Sequence, residues 1–241
     1  MTDVIDDILG VQASPQRTAR DQAPPIPLDG DRRHARTPRR RVFHNALRTK
    51  AAIEALNGLP ADGETWHVVM AGSYDSFDLV DAMLAHAAPA TITDLHLATL
   101  GFNAANARRL LELHDTGQVR RCTMIVSMYY EADHKEKEVC YQLARELPAR
   151  GQPGHPGGWY LATRSHAKII AAAFTDGRHF VIESSANLRT CRNLEQFTIT
   201  HDRGLFEFHR SWMHEVKAHE DARTPGNTPG SATESENASR A

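Results

Sequence analysis

Trp66-His67-Val68-Val69-Met70-Ala71 is a short apolar run closed by Gly72, and Phe77, Leu79, Val80, Met83, Leu84 and Ala87 then recur at helical spacing over residues 75–88. The first segment reads as a buried strand and the second as a helix with one apolar face. Outward from this unit the alternation repeats. Residues 94–100 read as a strand ending at Gly101, 103–114 as a helix, 121–128 as a strand and 135–146 as a helix. The Pro- and Gly-rich stretch 151–158 is a loop. Strands are expected again at 159–163, 166–174, 179–183 and 195–200, with a closing helix at 205–219. On the upstream side, residues 42–57 read as a helix terminated by Gly58-Leu59-Pro60. Strands alternating with helices predict an α/β domain whose sheet is covered on both faces. No internal period repeats, which excludes a solenoid.

Composition narrows the class further. The chain has 241 residues, 41% hydrophobic and 24% charged, with a formal net charge of −2. It is therefore no histone-like polycation. Three cysteines far apart, without a CxxC pair, exclude a disulfide scaffold and a zinc ribbon. No window approaches the ~18 apolar residues of a membrane span, and the acidic start lacks the apolar core of a signal peptide. A cytoplasmic protein without membrane contact is expected. Residues 1–41 read as a disordered basic arm, 42–220 as the folded domain and 221–241 as a disordered tail. From Arg32 to Lys50 there are eight Lys or Arg and no acid, so the arm reads as either a phosphate-seeking segment or a solvated linker.

The chemistry concentrates in Ser165-His166-Ala167-Lys168, the strand after it, the turn Thr175-Asp176-Gly177-Arg178, and the returning strand that ends in Ser184-Ser185-Ala186-Asn187. On a strand, His166 and Lys168 point to one face, as do Ser185 and Asn187. Asp176-Gly177 is a hairpin signal that brings the two pairs together. An imidazole, an ammonium, a hydroxyl and a carboxamide in one small volume suit a phosphoryl centre. The imidazole attacks phosphorus while Lys and Asn hold the non-bridging oxygens.

His166-x-Lys168, a turn and Ser184-Ser185-Ala186-Asn187 resemble the HKD motif of the phospholipase D superfamily, over roughly residues 159–200. The downstream Asn193-Leu194-Glu195-Gln196-Phe197 is similar to the acidic strand of that family's nucleases. The resemblance implies a mixed sheet flanked by helices, and a histidine that becomes a covalent phosphohistidine. His166 would be nucleophile or general acid, with Lys168 and Asn187 as phosphate ligands. Ser185 would hydrogen-bond within the site, and Glu195 would accept from the imidazole and set its tautomer. Two positions depart from the motif: Ala173 stands where the family has Asp, the nearest acid being Asp176 in the turn, and Ser184 replaces a Gly. A longer hairpin accounts for the displaced acid. The HxK triplet occurs once, whereas the phosphohistidine mechanism uses two histidines. Single-motif members of the family pair two chains, so a homodimer is implied.

Arg164, Arg189 and Arg192 flank the motif and would grip neighbouring phosphates of a polymer. No Asp/Glu cluster with divalent-ion spacing lies near it, so neither metal nor cofactor is expected. The leading expectation is a metal-independent phosphodiesterase, an endonuclease acting on DNA or RNA. The alternatives are an inactive nucleic-acid- or partner-binding module of the same shape, and a phospholipid hydrolase or transphosphatidylase. Elsewhere, the junctions at 72–76 and 99–103 read as helix caps or anion cradles. His209, His214 and His219 are spaced to scatter around a helix, and Cys140 reads as a buried small hydrophobe.

Overall fold

The computed structural model describes residues 40–46, 52–71, 74–132, 137–151, 156–189 and 194–223. Eight strands and six helices follow one another as β1 (Arg40–Ala46), α1 (Ala52–Leu56), β2 (Glu64–Ala71), α2 (Asp78–Ala87), β3 (Ile92–Thr99), α3 (Ala104–Asp115), β4 (Val119–Ser127), α4 (Met128–Glu131), α5 (Lys137–Ala149), β5 (Trp159–Thr163), β6 (Ile169–Phe174), β7 (His179–Ser184), β8 (Leu194–His201) and α6 (Arg203–Arg223). They form an α/β fold on one sheet of order β1-β2-β8-β7-β6-β3-β4-β5. The sheet is mixed. β1 with β2, β3 with β4 and β4 with β5 are parallel, whereas β6, β7 and β8 pair antiparallel with their neighbours. A short turn accounts for the antiparallel β6–β7 pair, and crossovers through helices account for the parallel pairs, whereas β2–β8 and β3–β6 join segments distant in sequence. The β6–β7 turn holds Gly177 at a φ of 87°, the left-handed conformation that the Asp-Gly pair favours.

Helices cover both faces unequally. Apolar residues of α1, α2, α3 and α5 share one large core with the sheet, whereas among the described residues α6 closes the other face through Phe206, Met213 and Val216. All six residues of β6 are buried, as expected of a central strand packed on both sides. Its alanines let both layers approach closely. No helix among the described residues is long and apolar enough to cross a membrane.

The segment expected as a helix over 42–57 is divided. Arg40–Ala46 is a strand parallel to β2, and only Ala52–Leu56 is helical. Without β1, β2 would leave a row of backbone donors and acceptors open, and pairing with it outweighs local propensity. β1 also takes in Arg40 and Arg41, at the end of the stretch read as an arm; residues 1–39 lie outside the described residues. At the other end α6 runs to Arg223, past the expected limit at 219 and into the stretch read as tail, and residues 224–241 again lie outside. Residues 128–131 form a helical turn, where the strand was expected to extend to Met128.

Close approach requires a glycine at position 158. A Cβ on Gly158 would overlap the backbone carbonyl of Cys122 in β4, at the point where the chain enters β5. Gly158→Ala is expected to cost about 2–4 kcal/mol, read as a lower urea midpoint at unchanged slope. A midpoint equal to wild type would show that β5 shifts freely.

Candidate active site

β2, β3, β4 and β5 all point their carboxyl ends to one edge of the sheet, and α2 and α3 start there. β6 begins, β7 ends and β8 begins at the same edge, because Ala98 pairs with Ile169, Ile169 with Glu183, and Ser184 with Phe197. Ligands collect at such an edge in α/β sheets, where loops diverge.

His166 and Lys168 stand on the approach to β6, three and one residues ahead of its first paired residue. They therefore lie in the entry loop, where a strand was expected from 166. Ala167 N donates to Ser165 Oγ at 3.3 Å, a local turn that bends the entry. The pair meets nonetheless: Lys168 Nζ is 3.1 Å from His166 Nδ1 and 3.1 Å from His166 O. An ammonium only donates, so His166 Nδ1 accepts here and the ring hydrogen sits on Nε2. His166 is exposed and Lys168 half-buried. Burial pushes the Lys168 ammonium below the ordinary lysine range, and the nearby Glu195 carboxylate opposes that shift.

The returning segment is held by a dense set of short-range bonds. Ser184 N donates to Lys168 O at 3.1 Å and Ser185 N to Gln196 O at 2.9 Å. Gln196 N donates to Ser185 Oγ at 3.0 Å, and Ser185 Oγ in turn donates to Glu195 Oε2. Ser185 and Glu195 thus meet as neighbours across the β7–β8 connection. The Glu195 carboxylate accepts from Ser185, whereas the imidazole nitrogen expected to face it takes a bond from Lys168.

Asn187 is fastened to the neighbouring strand end. Its Oδ1 accepts from Leu100 N at 3.3 Å, Leu188 N donates to Thr99 Oγ1 at 3.2 Å, and Phe77 N donates to Leu188 O at 3.1 Å. With its oxygen engaged, Asn187 keeps the Nδ2 hydrogens as its donor side. Lys168, Ser184, Ala186 and Leu188 share the wall of a small pocket with Ser76 and Leu79. Its volume of about 10 Å³ suits about one water. The Ser76 hydroxyl is buried on that wall with no hydrogen-bond partner among the described residues.

Arg164, in the β5–β6 loop, and Arg189, after β7, are exposed at this edge. Arg192 lies outside the described residues. Asp176 does not join the group. It sits in the turn at the far end of β6 and pairs with Arg178 at 2.6 Å, while Ala173 is buried in the ladder opposite His179.

The junction at 72–76 lacks the helix cap read for Asp75. Gly72 and Ser73 lie outside the described residues, and α2 begins after Phe77 with no side-chain cap. Asp75 Oδ2 instead accepts from Asn103 Nδ2 at 2.9 Å and Asn106 Nδ2 at 3.0 Å. A carboxylate already fills the space between the two helix starts, which disfavours a second anion there. Asn103 caps α3 with a full capping box, one of the two readings of the 99–103 junction. On the opposite face, His209 Nε2 lies 3.1 Å from Glu183 Oε1 and His214 packs edge-on against His96.

Two tyrosines that the spacing did not single out stand at the same edge. Tyr130 OH donates to Phe102 O, its ring leaves no room for a Cβ at Gly101, and Arg189 Cζ lies 5.9 Å from the ring centre. Tyr129 beside it is exposed. Consecutive aromatics directly after a strand were the available signal.

The fold and site define an α/β protein with a loop-borne pair of exposed His166 and half-buried Lys168 at the carboxyl edge of a mixed sheet. No family model matches the chain, and no curated protein does.

Proposed function

We propose that the chain is a metal-independent phosphodiesterase, an endonuclease on nucleic acid that works through a phosphohistidine in a homodimer. The observation that carries this reading is the 3.1 Å approach of Lys168 Nζ to His166 Nδ1, beside Ser185–Glu195 and the anchored Asn187. In the phospholipase D-like mechanism, His166 of one copy attacks phosphorus and the bond to the leaving oxygen breaks. His166 of the other copy delivers its Nε2 proton to that oxygen while the Lys168 ammonium passes a proton to Nδ1, so that ring stays neutral. Water then attacks the phosphohistidine and gives its proton to the bared Nε2 of the other copy, the Nδ1 proton returns to Lys168, the P–N bond breaks and the first imidazole is released. The Lys–His arrangement suits the proton-delivering copy, because Lys168 keeps the hydrogen on Nε2. The attacking copy needs a bare Nε2 and hence a different partner at Nδ1, the role that suits Glu195. Lys168 and the Nδ2 side of Asn187 supply the positive and donor groups that hold the non-bridging oxygens. Arg164, Arg189 and the cationic stretch from Arg32 favour a polyanionic substrate.

The test is cleavage of DNA and RNA in EDTA, with trapping of a labelled phosphoryl group on His166. Lys168→Gln is expected to lower turnover by about a hundredfold or more with an unchanged melting temperature. Turnover that needs added Mg²⁺ would overturn the reading. A binding-only module is the second reading, supported by Ala173 in place of the motif acid. Tight nucleic-acid binding with no trapped phosphoryl group would select it.

A further inference from the structure

The edge that carries His166 and Lys168 also carries cations laid on tyrosine rings. Arg189 lies over Tyr130, and Lys137 Nζ is 5.4 Å from the centre of the Tyr141 ring at the start of α5. Tyr129 and Tyr141 expose 57% and 49% of their surface. Tyr129 follows closely on the end of β4 and Tyr141 lies in the second turn of α5. Tyr130 acts as a shelf. Its hydroxyl is bonded to Phe102 O and its ring is pressed on Gly101, and Arg189 packs over that fixed ring. Arg189 directly follows Leu188, which shares the pocket wall with Lys168. In strand order β4, whose end carries Tyr129, is two places from β6. That separation is roughly 10 Å, the span of about three stacked nucleotides.

We infer that this rim is a track for single-stranded nucleic acid, in which Arg189, held on the Tyr130 ring, grips a backbone phosphate and Tyr129 stacks a base. The inference rests on the phosphodiesterase reading for where the reactive phosphate lies, and it adds the strandedness of the substrate. Base–aromatic stacking combined with a cation along the backbone is how proteins hold single strands. In a duplex the base faces are already covered by their neighbours.

The test measures binding, by fluorescence anisotropy in EDTA, of the full chain carrying His166→Ala. The probes are a labelled single strand, the same strand in duplex, and an abasic strand of equal length. Adding Tyr129→Ala is expected to weaken single-strand binding about tenfold and to leave abasic binding unchanged, while Tyr129→Phe restores the tight complex. Arg189→Gln is expected to weaken the single and abasic strands alike and to lower the salt slope by about 0.7. Equal loss on the normal and abasic strands in Tyr129→Ala, no loss on either, or tighter binding of duplex than of single strand would each overturn the track. Turnover of a base-free aryl phosphodiester by the wild-type chain is scored separately. Its absence removes the phosphodiesterase and leaves the track to the anisotropy, so the two failures are distinguishable.

Discussion

His166→Ala is expected to lower nucleic-acid cleavage in EDTA by at least about a thousandfold while leaving the thermal unfolding curve in place. The ring is exposed, precedes the first ladder residue of β6 and is held by a single lysine, so its removal opens no cavity. The loss is expected to be large because the proposed mechanism gives one imidazole both chemical parts: attack from one copy and proton delivery from the other. Mixing extends the test. If both copies must contribute, a mixture of wild type with an equal amount of His166→Ala re-equilibrates so that only wild-type pairs act. Activity should then fall to about half that of the same wild-type protein left unmixed, rather than staying constant. Constant activity on mixing would remove the shared site, and retained cleavage in the variant alone would remove His166 from the chemistry.

Acid is expected to unfold the protein well before its carboxylates titrate, through histidines that fold in the neutral form. His96 is fully buried under α6, its Nδ1 paired with Thr123 Oγ1 and its ring against His214 and Phe206. Burial, reinforced by the charges of His214, Arg121 and Arg210, lowers its pKa to about 3. His114 is lowered to about 4, chiefly by burial, and His214 is lowered for the same reason. In the unfolded chain each takes up a proton near 6.5. Between that value and the folded values the unfolded state binds more protons, so stability is fully present above about pH 6.5 and drains away as the pH falls toward 3–4. His96 alone accounts for on the order of 4 kcal/mol of the loss. Urea midpoints measured from pH 7 to pH 4 should fall steeply, and His96→Leu should flatten the fall. The variant should cost about 1–3 kcal/mol at pH 7, since the buried Thr123 hydroxyl loses its partner. A profile equally steep in His96→Leu would acquit this histidine.

Much of the fold is legible because it depends on neighbours in sequence. Trp66-Val68-Met70 and the helix after it, the Asn103 cap, and Asp176-Gly177 between two apolar runs each carry their own local signature. β1 is not legible in that way. Arg40–Ala46 is drawn into the sheet by the open edge of β2, a partner beyond the helix Ala52–Leu56. The site divides along the same line. That His166, Lys168, Ser185 and Asn187 are brought to one end follows from the hairpin, but the bonds they make do not. Asn187 is anchored by Leu100, 87 residues away, and Arg189 lies on a ring from α4. The acid absent at position 173 also acquires its meaning from the fold, since Asp176 is spent on Arg178 at the opposite end of the strand.

The order of residues by itself determined the alternation of strands and helices, the hairpin and the choice of groups at the candidate centre, because apolar period and turn chemistry act over a few bonds. Which strands became neighbours, which imidazole nitrogen accepts from Lys168, and how Tyr129, Tyr130 and Arg189 come to share one rim were decided only in three dimensions. Those contacts join loops separated by tens of residues, and no local preference of the chain encodes a meeting that is made by packing.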